Sequence, residues 1–279
     1  MKVLFVGAGG IDKPWLQRFA LIGYFVLAYA ISWSIGIPLA LIAQGKLDWP
    51  IPFAVHYLYG YGPLLSALIM AGLTEGWPGI VDIFKRLTNW RMSPLWWLVT
   101  LSPLVGYGII VLGQRLIQGE WADFRLLGEV HFLPNLGIGA LFLWIFTYGL
   151  GEEIGWRGFA LPRLQARMNA LQSTLVLGVL WAFWHLPFFF YLFEPAIAIG
   201  WFLGLMSGAI LFTWLYNSTG GRLLTVVLWH ATFNFITASA AGDGLAAAVL
   251  STLVMVWAIA LIFIYKPINL SAQDRQIIT

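Results

Sequence analysis

The chain has 279 residues, of which 60% are hydrophobic and 10% are charged, and its mean hydropathy is +0.83. These values lie far outside the range of soluble domains and indicate an integral membrane protein. The basic residues behind the net charge of +3 are spread along the chain, which argues against a nucleic-acid partner. The absence of cysteine excludes disulfides, thiolate nucleophiles and thiolate metal sites.

The first residues, MKVLFVGAGG, look like the strand and glycine turn of a dinucleotide-binding fold. Asp12 stands where the third glycine of G-x-G-x-x-G belongs, and an apolar segment follows instead of a βαβ unit. We therefore predict a cytoplasmic N-terminal tail at residues 1–18. A single transmembrane domain at 19–265 and a cytoplasmic C-terminal tail at 266–279 complete the predicted organisation.

Long apolar stretches predict transmembrane helices, which need roughly 20 residues to cross a bilayer. Eight such segments follow one another along the chain: Phe19–Ala43, Phe53–Leu73, Leu95–Leu112, Leu136–Leu150, Leu171–Leu192, Ala196–Leu215, Leu223–Ala240 and Leu245–Ile264. The predicted fold is an all-α, polytopic transmembrane helix bundle of about eight spans, with interfacial helices. Residues 78–97 mix apolar and charged positions, which predicts one such helix along the cytoplasmic interface.

The distribution of basic residues predicts the orientation, because Lys and Arg collect in cytoplasmic loops. With eight spans, both termini and the loops after spans two, four and six lie on one side, which carries 12 of the 15 Lys and Arg residues. Both termini are therefore predicted to be cytoplasmic.

Polar residues are scarce within the spans, where ionisable groups are costly and indicate functional sites. Residues four apart share a helix face, so Glu153 lies within reach of Arg157, and Glu152 lies about 100° round the same helix. Histidines at positions 56 and 131 lie near the outer interface and are interpreted as ordinary. The remaining candidates, predicted to converge on one cavity, are Glu152, Glu153 and Arg157 at the end of span four, His185 in span five, and His230 with Asn234 in span seven.

These residue types suit the hydrolysis of a peptide bond. A partly buried Glu152 can take a proton from water, one histidine can position that water, and the other histidine with Asn234 can stabilise the oxyanion. Equally, Glu152, His185 and His230 could bind zinc and leave a fourth position for water. Other intramembrane patterns do not fit, because GLMSG lacks the first glycine of G-x-S-G and H-E-x-x-H does not occur.

Three ordered motifs resemble those of the CPBP family, the intramembrane proteases related to type II CAAX prenyl endopeptidases and to bacteriocin-processing or immunity proteins. EEIGWRGFALPRLQ carries E-E-x-x-x-R from Glu152. LWAFWHLPFFF has an aromatic residue four positions before His185, with Trp181 where phenylalanine is usual. HATFN carries H-x-x-x-N from His230. The resemblance covers residues 149–235, under a third of the chain.

The resemblance implies an endopeptidase acting from the cytoplasmic side on a hydrophobic or lipidated peptide or protein. It implies a water-activating base at Glu152, with two histidines and an asparagine supporting the oxyanion. The implied catalytic residues are Glu152, His185, His230 and Asn234, and the supporting residues are Glu153, Arg157 and Trp181. We expect membrane lipids as further partners, no nucleic acid, and a location in the cytoplasmic membrane of a prokaryote.

Some alternatives stay open at the level of sequence. No cofactor is required in the preferred mechanism, because the histidines do not form a helical H-x-x-x-H chelate, but zinc catalysis by the same residues is the alternative. A non-catalytic immunity or scaffolding protein and a proton-carrying transporter are rivals of another class. The depths also conflict, since Glu152 falls near the cytoplasmic end of span four and His185 falls past the middle of span five. Either the span-four helix continues deeper or span five begins later.

Overall fold

A computed structural model describes residues 14–130, 136–242 and 244–278. These residues form helices and connecting turns without any β-strand, so the all-α prediction is confirmed. Two sequence predictions concern residues outside the described ranges, namely most of the N-terminal tail and His131.

Ten helices follow a short helical turn at Pro14–Arg18 within this described part of the chain. They are α1 (Ala20–Ala43), α2 (Phe53–Glu75), α3 (Trp77–Thr88), α4 (Pro94–Thr100), α5 (Ser102–Gln118), α6 (residues 139–165), α7 (Ala170–Trp184), α8 (Ala198–Ser218), α9 (Leu223–Thr237) and α10 (Leu245–Asn269).

Each of the eight predicted spans coincides with a helical segment, but the count of eight membrane crossings is not confirmed. By length and apolar character, five segments of the described chain could cross a membrane alone. Helices α4 and α5 would add a sixth as one span bent by 68°. Pro103, in the first turn of α5, explains this bend because proline cannot continue the preceding hydrogen-bond ladder. Helix α9 is apolar but has only 15 residues.

Helix α6 lies at the centre of the bundle, and every residue from 151 to 165 is buried. The prediction that span four ends at Leu150 is wrong, because the helix continues to Gln165. Helix α7 then begins at Ala170, where the Asn169 side chain accepts a hydrogen bond of 2.8 Å from the backbone N–H of Gln172.

This extension of α6 resolves the conflict of depths. Glu152 lies 13 residues before the end of α6, and His185 lies 15 residues after the start of α7. At about 1.5 Å per residue, these separations correspond to about 20 Å and about 22 Å. A short turn joins the two helices, and Trp181, four residues before His185, donates a 2.7 Å hydrogen bond to Glu152, so Glu152 and His185 lie at matching positions along α6 and α7.

Two glycines bring α6 against α2. A Cβ atom at Gly151 would lie 2.7 Å from the carbonyl oxygen of Gly60, and a Cβ at Gly155 would lie 2.5 Å from the Cβ of Pro63. These residues are four apart and therefore share one face of α6. Small residues allow such close helix approach within membranes, and here they place Glu152 and its neighbour deep between helices.

Helix α6 is not a regular α-helix. Its π-helical stretches, Ile145–Glu152 and Trp156–Ala160, flank a single α-helical turn at Glu153–Gly155. Insertions of this kind are rare and occur frequently at functional sites. The irregular segment coincides with the E-E-x-x-x-R motif.

The peripheral segments agree in part with the predictions. Residues 77–88 form α3, which confirms a helix after α2, while its position at the membrane interface remains a prediction. The predicted C-terminal tail packs against the end of α6. There Gln165 donates a 2.8 Å hydrogen bond to the carbonyl oxygen of Gln276, and Arg275 donates one of 2.9 Å to the carbonyl oxygen of Gln165.

Candidate active site

Glu152 is a buried carboxylate with one direct hydrogen-bond donor in the described structure. Its side chain is 2% exposed, and the indole Nε1–H of Trp181 donates to Oε2 at 2.7 Å. This bond joins α6 to α7. Phenylalanine, which is usual at this position of the motif, could not make this hydrogen bond.

The neighbouring Glu153 is fully buried and has two partners. Nη1 of Arg157 lies 2.9 Å and 3.0 Å from its two carboxylate oxygens, which confirms the pairing expected from residues four apart. Nδ1 of His230 lies 2.9 Å from Oε1. Glu153 therefore connects α6 to α9, and it is Glu153 rather than Glu152 that contacts this histidine.

Arg157, one of the 12 basic residues counted on the predicted cytoplasmic side, is 1% exposed and lies within α6 rather than in a loop. Its guanidinium carbon lies 4.7 Å from the ring centroid of Trp181 and 4.6 Å from that of Phe212, which are cation–π contacts. Without Arg157, 11 of the 15 basic residues still fall on the predicted cytoplasmic side. The predicted orientation therefore does not depend on this residue.

His185 lies directly after α7, at the start of a 3₁₀ turn formed by Leu186–Phe190. Its Nδ1 lies 2.7 Å from the carbonyl oxygen of Trp181. A carbonyl oxygen only accepts, so Nδ1 carries the hydrogen and, in the neutral ring, Nε2 is an acceptor. Pro187 cannot extend the α-helical ladder, which explains why α7 ends here.

His230 and Asn234 lie one turn apart on α9. The His230 ring packs edge-on against Trp181 with centroids 5.6 Å apart, and the rings of Trp181 and His185 are also 5.6 Å apart. Asn234 is half-buried, and its amide makes no hydrogen bond within the described residues. Its N–H groups are therefore available to a bound molecule.

Direct contacts join six of the seven candidates in one buried cluster, namely Glu152, Glu153, Arg157, Trp181, His185 and His230, and Asn234 lies one turn after His230 on α9. Electrostatic interactions link Glu152 with His230 and Arg157, and link His185 with His230. Glu152 makes no direct hydrogen bond to either histidine in the described structure. Instead, Trp181 contacts all three residues. Its indole N–H donates to the Glu152 carboxylate, its backbone carbonyl oxygen accepts from Nδ1 of His185, and its ring packs against the ring of His230.

Zinc binding by Glu152, His185 and His230 is the alternative use of these residues. Within residues 14–130, 136–242 and 244–278, no three His, Asp or Glu side chains form a group that could hold one metal ion.

Sequence reasoning missed the surroundings of His56. The histidine is 2% exposed, with Nδ1 lying 2.7 Å from the Tyr191 hydroxyl and Nε2 lying 3.1 Å from the Tyr148 hydroxyl. The one signal in the sequence was the position of Tyr148, four residues before Glu152 and thus near it on α6.

The segment that contains this site is similar to known proteins. Residues 134–236 match the family model described as Type II CAAX prenyl endopeptidase Rce1-like. A protein of Methanococcus maripaludis named CAAX prenyl protease 2 is 26% identical over 165 residues, which are 55% of this chain and 60% of that relative. The match thus spans less than two thirds of the curated relative. The family segment contains all seven catalytic and supporting candidates but not His56.

Proposed function

We propose that the chain, whose residues 134–236 match the family model described as Type II CAAX prenyl endopeptidase Rce1-like, is an intramembrane endopeptidase that hydrolyses a peptide bond with a water activated by Glu152. The observation that carries this proposal is the buried Glu152 carboxylate, held by Trp181 beside two histidines. Both histidines use Nδ1 for a hydrogen bond within the protein. Nε2 is therefore the ring atom left for water or substrate.

The proposed reaction begins with a water between Glu152 and the scissile carbonyl. The carboxylate takes one proton while the water oxygen bonds to the carbonyl carbon, so the carbonyl oxygen becomes an oxyanion. When the intermediate collapses, the carbon–nitrogen bond breaks and the protonated Glu152 gives its proton to the leaving amine. The products are a carboxylic acid and an amine, and Glu152 returns to its ionised form.

The histidines take different parts in this proposal. Nε2 of a neutral His185 accepts a hydrogen bond, which suits holding and orienting the water. In this proposal the His230 ring carries both hydrogens: Nδ1–H donates to Glu153, while Nε2–H and the amide of Asn234 donate to the oxyanion. Arg157 balances the charge of Glu153.

A membrane-associated or lipidated peptide is the proposed substrate class. The named relative is a CAAX prenyl protease, and the surroundings of His185 suit an apolar chain. The rings of Trp184, Phe188 and Trp201 lie with centroids 4.7 to 5.2 Å from that of His185. We further propose cleavage from the cytoplasmic face of a prokaryotic membrane, in line with the distribution of basic residues.

The test is cleavage of hydrophobic and lipidated peptides by the purified protein in detergent. Glu152→Gln removes the base but preserves side-chain volume, so turnover should fall by about 10²- to 10⁴-fold. Glu194→Gln is a matched control, because Glu194 is exposed, and it should leave turnover unchanged. Thermal unfolding of both variants verifies the fold. Wild-type turnover in the Glu152→Gln protein would contradict the proposal.

The same preparation distinguishes the alternatives. Turnover that survives verified removal of metal supports activation by Glu152, whereas turnover that is lost and then restored by zinc would favour the zinc mechanism. Peptide binding without cleavage by the wild-type protein would favour an immunity or scaffolding role. Peptides that copurify with the Glu152→Gln protein would identify the substrate.

A further inference from the structure

His56 is a buried titratable residue that the proposed reaction does not use. It lies near the start of α2, and its two ring nitrogens bond to hydroxyls from two other segments, Tyr148 of α6 and Tyr191 after α7. A neutral imidazole has one donor and one acceptor, so it donates to one tyrosine and accepts from the other. His56 therefore joins three separate segments by hydrogen bonds.

The hydrogen bonds continue beyond Tyr148. Its hydroxyl interacts with that of Tyr57, which in turn lies 3.2 Å from the indole Nε1 of Trp144. An indole N–H only donates. If each intermediate group accepts one hydrogen bond and donates one, donation runs in a single direction along the cluster. It starts at Trp144 and passes through Tyr57, Tyr148 and His56 to Tyr191.

The cluster lies next to the proposed reaction centre. Tyr148 precedes Glu152 by four residues on α6 and interacts with it electrostatically. On the other side, the Phe188 ring lies between the two histidines, with its centroid 4.7 Å from that of His56 and 5.2 Å from that of His185. His56 also interacts electrostatically with His185.

We propose that His56 is a positioning residue for this site. By binding Tyr148 and Tyr191 together, it fixes the separation between the part of α6 that carries Glu152 and the turn that follows His185. A second hydrogen bond between α6 and α7 is the one that the Trp181 indole donates to Glu152. The inference rests on the proposed function, because it assigns His56 to the same reaction.

The composition of the cluster favours positioning over simple packing. Polar groups inside a membrane protein are costly unless they are paired, and leucine or phenylalanine would fill the same volume without that cost. Hydrogen bonds, unlike apolar contacts, fix direction and distance. A site that must hold water between Glu152 and a histidine needs fixed directions and distances of this kind.

The test compares His56→Phe, Tyr191→Phe and Tyr107→Phe. Tyr107 is a control, because it is a buried tyrosine outside the cluster whose hydroxyl makes only a long 3.5 Å contact with the carbonyl oxygen of Ala241. At a temperature where all variants are folded, the first two should lower kcat by about tenfold with KM within about twofold, and the control should match wild type. The double variant His56→Phe with Tyr191→Phe should have the same kcat as His56→Phe alone, because the Tyr191 hydroxyl acts through its hydrogen bond to His56.

A second measurement does not depend on cleavage. The indole N–H resonance of Trp181, assigned by its absence from Trp181→Phe, reports the hydrogen bond to Glu152. In His56→Phe it should move toward its position in Glu152→Ala, and in Tyr107→Phe it should stay in place. A His56→Phe protein with wild-type kcat, or with an unmoved resonance, overturns the inference while cleavage by wild type preserves the proposed function. If wild type cleaves no peptide, the proposed function has failed, and the resonance alone decides whether His56 positions the site.

Discussion

Removing the charge of Arg157 should destabilise the protein severely, and removing the charge of Glu153 as well should restore most of the loss. Both side chains are at most 1% exposed, and Nη1 of Arg157 contacts both oxygens of Glu153. In Arg157→Met, the carboxylate keeps only His230 as a partner and remains charged in an apolar interior.

The expected magnitude follows from the burial of the pair. Breaking a buried ion pair by removing one partner costs about 3–5 kcal/mol, because the remaining charge is uncompensated. Replacing both charges by neutral groups of similar size is often close to neutral. Glu153→Gln combined with Arg157→Met should therefore cost no more than about 1 kcal/mol, since glutamine still accepts a hydrogen bond from His230. The coupling energy between the two sites should be at least about 2 kcal/mol.

The measurement is the free energy of unfolding in mixed micelles, obtained by titration with a denaturing detergent. It is made for wild type, both single variants and the double variant, and it requires no assumption about activity. The reasoning is refuted if the two single losses add in the double variant, or if Arg157→Met costs less than about 1 kcal/mol. Either result would mean that water or another group compensates Glu153.

Two further predictions concern Trp181 and Gly155. Trp181→Phe removes a hydrogen bond to an ionised acceptor, which contributes about 1.5–3 kcal/mol, so kcat should fall by about tenfold to a hundredfold. Trp214→Phe should stay within about threefold of wild type, because the Trp214 indole N–H has no hydrogen-bond partner in the described structure and its ring packs against Trp257, outside the site; equal losses in peptide-cleavage assays would disprove a role for the bond. Gly155→Ala should lower the unfolding free energy by about 1–3 kcal/mol, because its Cβ would lie 2.5 Å from atoms of α1 and α2, whereas Gly200→Ala adds a Cβ with no atom within 4 Å. Equal melting temperatures for the two alanine variants would contradict that account.

Local spacing made part of the site predictable. The pairing of Glu153 with Arg157 and the shared face of His230 and Asn234 follow from the helix period alone. The apolar segments likewise correspond to helices, because long apolar runs have few other stable forms in a membrane. Convergence of the three motifs was predicted from the costs of burying polar groups, and the structure brings those groups together.

Contacts between distant helices were not predictable in the same way. Trp181 reaches Glu152 across 29 residues of sequence, and His230 reaches Glu153 across 77. These contacts depend on the length of α6 and on its π-helical stretches, which a regular period of 3.6 residues does not reveal. An α-helical reading of α6 therefore could not establish which glutamate meets which histidine.

His56 was missed for a related physical reason. Its partners lie 92 and 135 residues away, and a histidine near a span end gives no periodic signal. The packing of α2 against α6 makes Tyr148 its neighbour, and the packing of α2 against the turn after α7 makes Tyr191 its neighbour.

The four-residue spacing of Glu153 and Arg157 also bears on how the protein is made. Because these two charges are one helical turn apart, they can neutralise each other as soon as α6 forms, before the later helices have been synthesised. Glu152 has no such local partner, and it can accept its hydrogen bond from Trp181 only after α7 has been synthesised and has packed against α6. A nascent chain that ends before α7 would therefore present one uncompensated carboxylate to lipid, a feature by which membrane quality control could distinguish an incomplete chain from a finished one.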